Sequence, residues 1–128
     1  MIPSALLLTL AALGQLFGYW FAVPQHIVDR TWPLHARFHI IQALFWISGL
    51  DAAILILIWW PLQQRELWSL WALLALFLFA QLSYFVALLA LPKGRQFSRG
   101  NWHEWVYGLD ALLALGGLFL AARASGVL

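Results

Sequence analysis

The four histidines are the side chains of this 128-residue chain best suited to metal or acid–base chemistry. If a helix begins near Pro33, His35 and His39 are four positions apart on one face, a spacing that lets two imidazoles bind one metal ion. His103 and Glu104 open a later apolar stretch and would complete the metal site. Alternatively, His39 and His103 would be the axial ligands of a haem.

The same cluster also has metal-free readings. His39 or His103 would act as the acid–base residue, while His35 and Arg37 hold a polar or anionic head group. Histidines at a membrane surface also commonly bond only water, lipid phosphate or a loop carbonyl. The sequence therefore leaves open whether the cluster binds a ligand, and it does not require a metal or haem.

Two aspartates, Asp51 and Asp110, lie within long apolar stretches. An ionised carboxylate there costs about 2.5–3.5 kcal/mol or more, so such residues usually face a cavity or a partner. Because no lysine or arginine lies deep in these stretches, we expect at least one carboxyl to be protonated or to meet a cation. The structural alternative is a neutral aspartate bonded to a neighbouring helix.

Further polar residues follow helical spacing. His103, Tyr107 and Asp110 form one stripe, which the small residues Ala114 and Gly117 continue. This pattern predicts Asp110 as a catalytic residue oriented through Tyr107, with a groove of small residues below it.

Polar groups on two other stretches are candidates for the same site. Gln15 lies beside Gly14 and Gly18, which form a GxxxG pattern typical of close helix packing. Gln81 and Tyr84 are three positions apart. We predict that both glutamines, Tyr84 and Asp51 contact a ligand, although interhelical hydrogen bonds would explain them equally well.

The composition indicates an integral membrane protein. Hydrophobic residues make up 64% of the chain and charged residues only 9%, with a mean hydropathy of +0.84. Soluble domains average about 45–50% apolar and about 25% charged residues, which excludes a soluble, disordered or nucleic-acid-binding protein. The absence of cysteine excludes disulfides and thiolate sites.

Four stretches are long enough to cross a bilayer, which takes about 20 residues. They are residues 4–23, 38–60, 67–91 and 105–122. Pro24, Pro61 and Pro92 follow the first three and are expected to end them. The sequence therefore predicts a single all-α domain over residues 1–128, a four-helix membrane bundle.

Charge predicts the orientation of the bundle. The loops at residues 24–37 and 92–104 hold five of the seven basic residues, and the opposite side holds Arg65 and Arg123. Basic loops face the cytoplasm, so both termini are expected outside. Eight of the nine tryptophans fall near the ends of the spans, as in interfacial belts.

The two halves of the chain are weakly alike, because the second and fourth spans each begin beside a histidine and carry one aspartate. This similarity alone does not predict a duplication. Twelve positions separate His39 from Asp51, about 120° and about 18 Å along a helix, so these two side chains cannot share one contact shell.

One segment resembles known proteins. Trp32 to Asp51, with a His-Ala-Arg-Phe-His block opening a span after Trp-Pro, resembles the second-helix entry of small four-helix bacterial inner-membrane proteins of unknown function. The resemblance covers less than a quarter of the chain. It implies a bacterial inner-membrane location and no particular activity.

The combined prediction is a multi-pass inner-membrane protein with a pocket for a lipid-like ligand: an isoprenoid, a quinone or an acyl chain. Such a protein could be an acid–base enzyme at the cytoplasmic interface. The alternatives are a non-catalytic subunit of a larger membrane complex and a His-ligated metal or haem protein. Expected partners are membrane lipid and a homo-oligomer or larger complex, without nucleic acid.

Overall fold

The computed structural model describes residues 1–90 and 102–128, and it is all-helical over these ranges. The helices are α1 (Ile2–Val28), α2 (Leu34–Trp59), α3 (Leu67–Ala90) and α4 (Trp102–Ala124). The all-α class is therefore confirmed.

Proline ends some of these helices but not all. Pro33 precedes the first residue of α2, and α2 ends two residues before Pro61, so both bounds follow the sequence. Pro24 behaves differently, because α1 continues through it to Val28. The expectation that Pro24 ends the first helix is wrong, since a proline near the last turn interrupts only a few backbone hydrogen bonds.

Helix α1 is the centre of the packing. It contacts α4 and α2 most extensively, and α3 completes the arrangement with smaller contacts to α4 and α2. Gly117 of α4 lets α1 approach closely, because a Cβ there would lie 2.7 Å from Leu8 Cγ and 3.1 Å from the Leu8 backbone nitrogen. Small residues at helix crossings are the usual way in which membrane helices pack without a hydrophobic driving force.

The buried core occupies one half of the helix lengths. We call residues 2–14, 52–59, 67–80 and 111–124 the packed half, and residues 16–28, 34–50, 82–90 and 102–109 the open half. The packed half contains an apolar cluster to which every helix contributes, for example through Leu8, Ile58, Phe77 and Ala121. Among the described side chains of the open half, only Leu44 is buried.

Three helices are long and apolar enough to cross a membrane. The qualifying segments are Ile2–Phe21, Leu34–Trp59 and Trp105–Ala124. The apolar part of α3 that the structure describes is shorter, Leu67–Ser83. Large apolar side chains cover the outside, including Phe17, Phe79 and Trp105. This distribution is the one expected of a membrane protein, whose outer surface meets lipid.

Candidate functional site

Polar side chains from all four helices lie at the boundary between the two halves. We call Gln15, Asp51, Gln81 and Asp110 the polar layer. Asp110 of α4 is its hub, because its Oδ2 accepts a 2.8 Å hydrogen bond from Gln15 Nε2 of α1 and a 2.5 Å bond from Gln81 Nε2 of α3. The sequence selected all four residues, and the structure brings them together.

Two carboxyl oxygens of the polar layer are buried without a hydrogen-bond partner among the described residues. Asp51 is 3% exposed and Asp110 is 6% exposed, yet Asp51 Oδ2 and Asp110 Oδ1 are both buried and unbonded. The two carboxyl groups lie within electrostatic range of each other. Nearly all buried polar atoms in proteins are bonded, so each unbonded oxygen requires an occupant or a proton.

Gly14 sets how closely α1 approaches this hub. A Cβ at position 14 would lie 3.3 Å from Asp110 Oδ1, whereas a Cβ at Gly18 would meet nothing within 4 Å. Only the first glycine of the GxxxG pattern therefore serves close packing. It brings Gln15 into bonding distance of Asp110, and its role as a neighbour of the carboxylate was not visible in the sequence.

Two tryptophan hydrogen bonds fix α2 beside α1 on either side of Asp51. Trp20 Nε1 donates to Ser48 Oγ at 3.0 Å, and Trp59 Nε1 donates to Thr9 Oγ1 at 2.9 Å. Indole N–H groups bonded between helices orient the two faces and hold Asp51 toward the interior. Trp20 and Trp59 are among the tryptophans near the span ends, a position that predicted only an interfacial role for them.

The histidine pair lies away from the polar layer. His35 and His39 are exposed near the start of α2, and their Nε2 atoms are 3.0 Å apart. Because Asp51 is buried while His39 is exposed, the two residues face different environments, as their angular separation predicted. The two residues are twelve positions apart, which corresponds to about 18 Å of helix.

Arg37 has a partner within the protein. It is half-buried, and its Nη1 donates a 3.4 Å bond to the carbonyl oxygen of Ile27 near the end of α1. A basic side chain on the last carbonyls of a helix stabilises that helix end. The head-group role of Arg37 stays a prediction beside this structural one.

Several predicted site residues have side chains outside the described set. They are Tyr84, His103 and Glu104. Their proposed roles in ligand, acid–base, metal or haem binding stay predictions. Tyr107 is described and half-buried. Within the described residues, no group of three or more histidine, aspartate or glutamate side chains is placed to hold a metal ion.

The small residues of α4 below Asp110 do not form a free groove. Ala114 is buried, and Gly117 is covered by Leu8 of α1. A ligand tail therefore has no room on this surface. On the other side of the polar layer, the helices of the open half bury few of their described side chains against one another.

The comparisons with known proteins give no relative. The chain matches no protein family, no curated protein and no solved structure. The geometry of the polar layer is therefore the basis for a functional assignment.

Proposed function

We propose that the protein is a small multi-pass membrane protein whose polar layer binds the polar end of a lipid-like ligand: an isoprenoid, a quinone or an acyl chain. The observation that carries this proposal is the pair of buried, unbonded oxygens, Asp51 Oδ2 and Asp110 Oδ1. A ligand hydroxyl would donate a hydrogen bond to either oxygen. A ligand carbonyl would accept a proton held there.

The chemistry of the layer suits such a ligand. Gln15 and Gln81 already donate to Asp110 Oδ2, which stabilises negative charge on that carboxyl group. Asp51 supplies a second buried carboxyl within electrostatic range of Asp110. Two carboxyl groups that differ in hydrogen bonding are a frequent arrangement for proton exchange with a bound group, so acid–base catalysis by Asp110 belongs to the proposal.

The ligand would enter from the open half. Its apolar body would lie among the open-half helices, and its polar end would meet the layer that closes the packed core. His35 and His39 would stand at the rim as exposed polar groups. The sequence suggested instead that the tail lies along Ala114 and Gly117. Leu8 fills that surface, so the proposed tail lies on the opposite side of the polar layer.

The proposal includes a topology. We propose a four-helix bundle in the bacterial inner membrane with both termini outside, so that the open half faces the cytoplasm. Two basic residues support this orientation, because Arg30 and Arg37 both lie where α1 and α2 are connected, at the end of the open half. Arg65 and Arg123 are on the opposite side.

Native mass spectrometry of the protein, extracted gently from its own membrane, tests the proposal. We expect the wild-type chain to carry one lipid-like molecule, and Asp110→Asn and Asp51→Asn to lose it because the replaced oxygen no longer holds or accepts a proton. Glu66→Gln is the matched control, because Glu66 is an exposed acid in the α2–α3 connection. This variant should keep the molecule.

Retention of the molecule by both aspartate variants would contradict the proposal. A wild-type chain that leaves the membrane bare would contradict it also, as would a chain that leaves only with larger subunits. The last result would favour the accessory-subunit reading.

One observation favours a second candidate, a His-ligated metal site. The Nε2 atoms of His35 and His39 are 3.0 Å apart. Two histidine nitrogens on one metal ion are about 2.9–3.4 Å apart when each bond is about 2.0–2.1 Å long. Zinc titration by isothermal calorimetry tests this candidate. Binding by the wild type and its loss in His35→Ala would support it, and equal heats for the two proteins would refute it.

A further inference from the structure

The two halves of the chain share a sequence repeat around their buried carboxyls. This repeat extends beyond the one aspartate and one histidine that the second and fourth spans have in common. Trp46-Ile-Ser-Gly-Leu-Asp51-Ala in α2 matches Trp105-Val-Tyr-Gly-Leu-Asp110-Ala in α4, with five of seven residues identical. On the preceding helices, a small residue is followed by Gln15-Leu in α1 and by Gln81-Leu in α3. Each half therefore supplies one glutamine and one aspartate to the polar layer.

The matched positions also occupy matched environments. Trp46 is 76% exposed and Trp105 is 79% exposed, while both aspartates are buried. The glycines of the two segments, Gly49 and Gly108, both face open space. Matching sequence with matching burial is the pattern of a repeated two-helix unit. Parallel repeats in membrane proteins are related by a pseudo-two-fold axis, with the binding site between the repeats. The packing departs from this symmetry, because α1 packs more extensively on α4 than α3 does on α2.

Hydrogen bonding breaks this equivalence. Both glutamines donate to Asp110, and no hydrogen bond between described residues reaches the carboxyl group of Asp51, whose Oδ2 is buried and unbonded. Two amide donors stabilise an ionised carboxylate, and a carboxyl without donors is most stable in its neutral form. This difference in hydrogen bonding is therefore expected if Asp51 and Asp110 are equivalent positions and only one of them carries a negative charge.

We propose that Asp51 and Asp110 are equivalent members of a duplicated site that holds one proton between them, and that Gln15 and Gln81 bond whichever carboxyl is ionised. In the state described here, the proton is on Asp51 and the charge is on Asp110. Moving the proton from Asp51 to Asp110, with the amides turning to Asp51, gives the mirror state. The total charge of the pair stays at one negative charge throughout.

The surroundings contain no described basic side chain that would neutralise a second charge. The other titratable or charged groups of the four helices are three tyrosines about one turn from the polar layer and residues six or more positions from it. They are Tyr19 and His26 on α1, His35, Arg37 and His39 on α2, Tyr84 on α3, and His103, Glu104, Tyr107 and Arg123 on α4. Gln15 and Gln81, the nearest polar groups, carry no charge. Two like charges without a cation destabilise each other in an apolar interior, so one proton must stay.

Infrared spectroscopy of the purified protein without added ligand measures this proton directly, because protonated carboxyl groups have a separate carbonyl band. The chain has only five acidic side chains, so the band can be assigned by substitution. At neutral pH we expect one protonated carboxyl in the wild type. Asp51→Asn and Asp110→Asn should both lose the band, since the remaining aspartate becomes ionised and receives both amides. Glu66→Gln should keep it.

Each other outcome overturns the proposal. Two protonated carboxyls in the wild type, or one left in either single variant, would mean that the aspartates are independently neutral. No band in the wild type would mean that both are ionised, and loss in only one variant would refute equivalence. Should a variant fail to fold by circular dichroism, the number of protonated groups in the wild type still decides. The shared proton uses the same residues as the proposed ligand but does not require that ligand. If mass spectrometry showed the protein without a bound molecule and the infrared spectrum still showed one protonated carboxyl, only the proposed ligand would be refuted.

Discussion

The approach of α1 to α4 at Gly117 determines whether the polar layer can assemble, and a single methyl group tests it. In Gly117→Ala the added Cβ would lie 2.7 Å from Leu8 Cγ and 2.9 Å from Leu8 Cδ2. Carbon atoms normally meet at about 3.5–4.0 Å, so the overlap approaches an ångström. The Leu8 side chain can rotate away, but its backbone nitrogen, 3.1 Å from the same point, moves only with the helix.

The expected cost can be separated from helix propensity by a matched control. Gly108 is on the same helix, and a Cβ there would meet nothing within 4 Å. Both substitutions gain about 0.5–1 kcal/mol from replacing a helical glycine by alanine. Overpacking typically costs about 1–3 kcal/mol. Gly117→Ala should therefore be about 1–3 kcal/mol less stable to unfolding than Gly108→Ala.

Unfolding of the purified variants by a denaturing detergent, followed by circular dichroism, gives the two free energies of unfolding. If Gly117→Ala were as stable as Gly108→Ala, the close approach of α1 to α4 would be refuted. The position of Gln15 beside Asp110 would then lose its support, because the same two helices carry both residues.

Two other substitutions test the contacts around the layer. Gln15→Leu should lower the free energy of unfolding by about 0.6–1.7 kcal/mol, because Asp110 loses one hydrogen-bond donor. This is the range for interhelical hydrogen bonds in membranes. An unchanged free energy of unfolding would contradict the bond. Trp59→Phe removes the hydrogen-bond donor to Thr9. This variant should lower the free energy of unfolding by about 0.6 kcal/mol more than Trp71→Phe, which changes another exposed tryptophan. Equal free energies of unfolding for the two variants would argue against the Trp59–Thr9 contact.

Much of the fold follows from the sequence because hydropathy and proline act locally. The apolar stretches predicted four helices, and Pro33 and Pro61 marked bounds of α2. The prediction that α1 ends at Pro24 is wrong because a helix end also depends on what packs around it. Arg37 donates a hydrogen bond to the carbonyl oxygen of Ile27, beyond that proline. Local signals thus predict where helices exist better than where they end.

The members of the polar layer were also visible in the sequence, but their partners were not. Buried carboxyls are costly in an apolar interior, which selected Asp51 and Asp110. Helical spacing says nothing about which helices are neighbours, so the convergence of Gln15 and Gln81 on one carboxylate oxygen needed the structure.

The proposed ligand can bind only if the polar layer is reachable from the open half and closed by the packed half. Because the chain has no cysteine, a single thiol can be placed at will. Asp51 and Ala114 are buried to the same degree, at 3% and 2% exposed, so only a route through the open half would make them differ. A small, membrane-impermeant thiol reagent added to sealed vesicles from the side of His35 should label Asp51→Cys and leave Ala114→Cys unlabelled. If Asp51→Cys were as unreactive as Ala114→Cys, the layer would be sealed within the protein and could not receive a ligand by this route.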